Sequence, residues 1–192
     1  LSDVLSALVE WVRSTQEISG QSMLKPIVSP TGSRDPFYYS IDPYSGGSDH
    51  IVFIDGGVRV PANMFNVWPD MWYHTSGDTP DKSDSTQFKR AVFLSAAAAV
   101  YLANAGSPEA EKMIQETSDR ALSRIGLDKS KAEKMILKAE TKDIHSAWKE
   151  ARNIIEQSFV RENEALSSIK FFIKSDSNLE NYLGMRMKRF NE

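Results

Sequence analysis

The sequence predicts an α/β protein, the C-terminal portion of a mixed-sheet fold followed by an all-helical tail. Three observations carry that expectation. Composition shifts near Gly106: the residues before it are rich in Gly, Pro, Ser, Asp and aromatic side chains, while those after it are charged and helix-favouring, with Pro108 the one later proline. The stretch VRVPANMFNVW (58–68) reads as a buried strand, with Pro61 near its start, where a missing N–H is tolerated. Beyond residue 107 helical periodicity runs almost unbroken. The expected organisation is an α/β part over 1–106 and a helical extension over 107–192.

Taken in order, LSDVLSALVEWVRS opens as a helix with Leu1, Leu5, Leu8, Val9 and Val12 on one stripe, expected to stop by Gly20. The chain starts inside a helical pattern, without an initiator Met or a charged-then-apolar signal, and reads as a piece of something longer. LKPIVSPTGSRDPFYYSIDPYSGG then carries four prolines, and such long irregular excursions often line binding sites. SDHIVFIDGG is locally ambiguous. The β-branched run HIVFI argues for a strand. Ser48 as N-cap, Asp49 at the N-terminus, the one-faced spacing of His50, Phe53 and Ile54, and Gly56 at the end argue for a short helix, which is the reading preferred here.

From Asp84 the pattern is helical. Asp84 is the expected N-cap, with Gln87 three residues on, and Phe88, Ala91, Val92, Ser95, Ala99 and Leu102 share the face expected to pack on a sheet. Gly106 suits the C′ position. The next helix is expected from Ser107 as cap and Pro108 at N1 to Gly126. The stretch 128–175 is either one long helix or two broken near Thr141, and a last helix covers 178–190. Helices this amphipathic bury their stripes against each other or against a partner.

Several functions are disfavoured at this level. A formal charge of −3 without a long basic run gives no reason to expect nucleic acid or an anionic membrane. Zero cysteines excludes disulfides, thiolate metal sites and cysteine nucleophiles. The longest apolar run, AVFLSAAAAVYLANA, is short of the ~20 residues that span a bilayer.

Chemistry concentrates in residues 46–84, which hold two of the three histidines. The N-terminus of a short helix at Asp49–His50 suits a carboxylate or a developing oxyanion; the plainer reading has Asp49 capping its own backbone and His50 packed in the core. His74 follows the strand-like segment and two aromatics and precedes Thr75, Ser76, Gly77 and Asp78. Metal ligands and catalytic bases are often found at such places, although a polar turn needs no function. His145 lies in a charged helix without a second ligand at productive spacing and reads as a surface residue.

Together, GGSDHIVFIDGGVRVPANM and WYHTSGDTPDKSD, followed by an Ala-rich helix, resemble the C-terminal half of the co-catalytic zinc aminopeptidases. These are the bacterial leucyl-aminopeptidase-like enzymes, related to glutamate carboxypeptidase, glutaminyl cyclase and the catalytically silent transferrin receptor. The likeness covers about residues 46–105. It implies a mixed sheet flanked by helices, two zinc ions, and hydrolysis of N-terminal residues from peptides by metal-activated water. It further implies that His74 is the last metal ligand, that Gly47, Ser48, Asp49 and Tyr73 line the substrate pocket, and that Asp78 and His50 support the site from behind.

The family's other ligands and its general base lie upstream of the matching segment, so the chain alone is expected to be inactive and to need the remaining half of the domain as partner. A periplasmic or extracellular location follows from the same likeness. The alternative is a non-catalytic peptidase-fold binding protein, and with either reading the helical tail is a candidate oligomerisation module.

Overall fold

The computed structural model describes residues 1–17, 26–42 and 44–190. They form two units, Leu1–Ala103 and Asn104–Glu192.

In the first unit, α1 (Ser2–Glu17) turns the apolar stripe of the opening sequence inward: Leu5, Val9 and Val12 are buried. The expected end of this helix near Gly20 lies outside the described residues. Then come the one-turn helix α2 (His50–Ile54) and the longer α3 (Ser85–Asn104). Val9, Val12 and Leu94 form the core of the unit, with Leu8, Ile27, Phe37, Tyr39 and Phe93 packed against it. Trp11 stacks on Phe93 at 5.8 Å between ring centroids.

The mixed-sheet expectation is overturned. Among the described residues the secondary structure is helical, with no strand and no sheet. Residues 58–68, expected as a buried strand, have no regular structure, and Val58, Val60, Phe65, Val67 and Trp68 are exposed. Among the described residues their backbone bonds start no ladder: Val60 N–H donates to the Phe53 carbonyl at 2.7 Å, and nothing comparable follows until Tyr73. A strand exists only through its neighbour's N–H and C=O groups. High β-propensity without such a neighbour leaves an irregular, uncovered segment.

A second correction concerns α3. Asp84 caps it as expected, its Oδ1 accepting from Thr86 N–H at 2.6 Å and Gln87 N–H at 3.2 Å. The buried face, however, is Thr86, Arg90, Leu94 and Ala98. Of the face expected to be covered, Phe88 is 68% and Val92 52% exposed. With no sheet among the described residues to receive that face, α3 instead turns its Thr86–Arg90 side toward the loop before it.

The second unit is built from α4 (Ser107–Lys138), α5 (Ile144–Ser168), a 3₁₀ turn at Ile169–Phe172, and α6 (Ser177–Lys188). Gly106 is the N-cap of α4 rather than the end of α3, and Ser107 is already helical. The Gly106 carbonyl accepts from Ala110 N–H and its N–H donates to Glu109 Oε2, both at 2.9 Å.

Gly126 does not end α4. It is solvent-exposed, and the buried stripe resumes at Ala132. The cost of an interior glycine, about 1 kcal/mol relative to Ala, is absorbed by a helix packed along its length. The break falls at 139–143, so the region around Thr141 separates two helices. They run antiparallel, tied by Arg124 of α4 to Glu162 of α5 at 2.6 Å and by Arg161 to Asp128 at 3.0 Å. Asp176 caps α6 by accepting from Leu179 N–H at 3.1 Å. No described helix is long and apolar enough to cross a membrane.

Candidate functional site

The short helix preferred for SDHIVFIDGG is present as α2, but Asp49 rather than Ser48 occupies the N-cap position, and its side chain makes no capping bond. The turn is held by the main chain instead: Ile51 N–H donates to the Ser48 carbonyl and Val52 N–H to the Asp49 carbonyl, each at 3.1 Å. Gly47 has φ +107°, a left-handed conformation that a side chain at this position would resist.

His50 closes the turn from behind. Its Nε2 lies 2.9 Å from the Ser45 carbonyl, so the ring carries its proton there, and the ring meets the Tyr44 ring edge-on at 5.9 Å. This leaves Nδ1 buried without a hydrogen-bond partner. Gly46, Gly47, Ser48 and Asp49 are exposed.

The second group sits in the turns of residues 71–77. His74 has φ +59°, and its ring stacks face to face on Tyr73 at 3.9 Å. Tyr73 in turn meets Trp68 edge-on at 5.7 Å. A left-handed conformation at a non-glycine residue costs on the order of 1–3 kcal/mol, and such residues cluster at functional sites. Thr75 holds the turn by donating its hydroxyl to the Trp72 carbonyl at 2.7 Å, and Asp78 N–H donates to the Thr75 carbonyl at 3.2 Å. Both His74 and Asp78 are exposed. The strand expected before His74 is the irregular segment described above. Among the described residues, no hydrogen bond or ring contact joins 44–50 to 71–78.

Sequence reasoning missed a third feature, the hold of α3 on the loop 27–37. Thr86 Oγ1 accepts from Ser29 N–H at 2.9 Å, and Asp84 Oδ2 accepts from Ser33 N–H at 3.1 Å. Lys89 Nζ donates to the Val28 carbonyl at 2.9 Å. Arg90, 1% exposed, donates from Nε to the Ile27 carbonyl at 3.2 Å and from Nη2 to the Asp35 carbonyl at 3.0 Å. Its guanidinium lies 5.3 Å from the Phe37 ring centroid.

Burial lowers the Arg90 pKa, an effect opposed by the charges of Asp84 and Asp35. A Cβ on Gly32 would fall 2.3 Å from Thr86 Oγ1, so only glycine admits so close an approach. The signal was in the sequence: Thr86 and Arg90 are four apart and open the same helical face as Leu94 and Ala98.

Residues 13–99 match the family model of peptidase family M28. The match spans less than half of the chain, includes both histidine motifs, and leaves the second unit outside it. It supports a peptidase-related, hydrolytic function. No curated protein and no solved structure matches the chain.

The zinc implied by the likeness to co-catalytic aminopeptidases is tested against the side chains present. Among the described residues no group of three or more His, Asp or Glu side chains is arranged to hold a metal ion, and a catalytic zinc takes about three protein ligands. The matched residues 13–99 do not by themselves fit a zinc ion, and His74 stands as a single candidate ligand.

Proposed function

We propose that the M28 segment is one part of a zinc-dependent aminopeptidase, in which the 46–49 turn and Tyr73 face the peptide and His74 contributes one metal ligand. The remaining ligands and the general base belong, in this reading, to a further part of the same peptidase domain.

The observation that carries the proposal is the family match across residues 13–99, which contains both histidine motifs. The geometry of His74 is consistent with it. A strained backbone places an exposed imidazole against one aromatic face, and among the described residues neither ring nitrogen has a hydrogen-bond partner. His50 suits a supporting role, since its Nε2–H is committed to the Ser45 carbonyl.

The test is zinc content and turnover of aminoacyl-nitroanilides by the full-length protein carrying His74→Ala. Loss of about one metal equivalent, or a much-reduced zinc affinity, is expected, with loss of activity. Unchanged zinc and unchanged turnover would sink the reading.

A further inference from the structure

We propose that Arg90 is a positioning residue of this site, a clamp that fixes the loop 27–37 on α3 and thereby sets where the chain enters the 44–50 wall. The proposal rests on the reading above that the 46–49 turn faces substrate.

A fully buried guanidinium is an expensive choice at a packing position, because its charge is removed from water. No ion pair with a carboxylate within 4 Å compensates Arg90 among the described residues, and its Nη1 is buried without a partner. A Leu or Met would fill the volume at lower cost. What only a planar, multi-donor side chain does here is hold two main-chain carbonyls, those of Ile27 and Asp35, eight residues apart in sequence.

The loop between those carbonyls does little to shape itself. Among the described residues its internal backbone bonding is the Gly32 N–H to Ser29 carbonyl contact at 3.3 Å. Its conformation is therefore imposed from α3, and Arg90 grips both of its ends. Immediately beyond Asp35, Phe37 and Tyr39 lock onto each other at 5.5 Å and onto the Val9, Val12 and Leu94 core. The chain then continues to Tyr44 and Ser45, the two residues against which His50 is set. Releasing the loop at Asp35 loosens the approach to that wall while leaving the core-facing Leu94 and Ala98 in place.

Arg90→Lys is the informative variant, because lysine keeps the charge but presents one donor point in place of a fork. Hydrogen exchange on the 192-residue chain should show the amides of 27–37 exchanging about tenfold faster, while amides from Leu94 onward in α3 keep their protection. In the full-length protein, KM for a peptide substrate should rise about tenfold with kcat nearly constant, the signature of substrate binding lost equally from the ground and transition states when the wall loosens.

Unchanged exchange in 27–37 overturns the clamp. So does a loss of protection spread evenly along α3, which would make Arg90 an ordinary core residue. A fall in kcat at constant KM overturns the positioning role. A wild-type full-length protein that turns over no peptide defeats the functional reading and the positioning role together, and the exchange data alone then decide the clamp.

Discussion

The two units use polar residues in opposite ways. In the second, polar groups serve helices that the local sequence already specifies: Glu109 and Asp176 cap helix ends, and Glu162, wholly buried, links α5 to α4 through Arg124. In the first, the buried polar groups Thr86 and Arg90 serve a loop that has almost no structure of its own. Apolar side chains of the first unit, such as Phe65, Trp68 and Phe88, stay exposed. Helices close their own hydrogen bonds and need neighbours only for their side chains. Strands and loops need neighbours for the backbone itself.

The sharpest way to break this comparison is at Glu162. Replacing it with Ala removes the shared acceptor of Arg124 and Arg161 from a buried position. A loss of about 3 kcal/mol is expected, at the low end for a broken buried pair because both arginines reach solvent. Urea melts of the chain, followed by helical circular dichroism, measure it. The Arg124→Leu/Glu162→Leu double variant should recover much of the loss, since Arg124 is removed with its acceptor and Arg161, half-exposed, keeps Asp128. A single variant as stable as the parent would mean that the buried ion pair does not organise the hairpin.

The next test asks which face of α3 is the inner one. Leu94→Ala should cost about 2–4 kcal/mol, the range for a buried leucine truncated in a packed core. Phe88→Ala, on the exposed face, should stay within about 0.5 kcal/mol. If Phe88→Ala proves as costly as Leu94→Ala, the Phe88 face of α3 is covered and the assignment of Thr86, Arg90, Leu94 and Ala98 as the one inner face is wrong.

The smallest effect is a dependence on pH at Asp84. The neighbouring Ser33 side chain, though its hydroxyl is outside hydrogen-bond geometry, and the backbone N–H groups of Thr86, Ser33 and Gln87 hold its carboxyl below the ordinary carboxylate range. A depressed folded pKa stabilises at and above the unfolded value. That stabilisation is therefore complete at neutral pH, begins to fall below about pH 4, and disappears as pH drops through the folded pKa. Protection factors at Ser33 and Thr86, taken relative to the intrinsic exchange rate at each pH, should fall across that acid window in the parent chain. In Asp84→Asn this dependence should be absent; if it persists, another carboxylate governs the loop.

The legibility of each region follows the same division. The inward stripe of α1, the cap of α3 at Asp84 and the short helix at His50 were readable because periodicity and caps act within a few residues, and of the two alternatives open for 128–175 the break near Thr141 is the one present. Gly126 misled because a local breaker signal was outweighed by packing along the rest of α4. Residues 46–84 announced their chemistry through residue type and order, which the M28 match supports at the family level. Their motifs do not show what brings His50 and His74 together, and among the described residues nothing does.

The sequence by itself determined where helices form and which residues carry candidate chemistry, since helical hydrogen bonds and motif spacing are both short-range. Tertiary structure decided the rest. Residues 58–68 have strand-forming side chains, yet among the described residues no neighbouring strand pairs with them, and beyond Val60 they find no backbone partner. In α3 the outward face is the more apolar one, because Thr86 and Arg90 find main-chain partners in a loop more than fifty residues earlier. A buried polar group is tolerated only where such partners exist, and partners that distant in sequence leave no local trace.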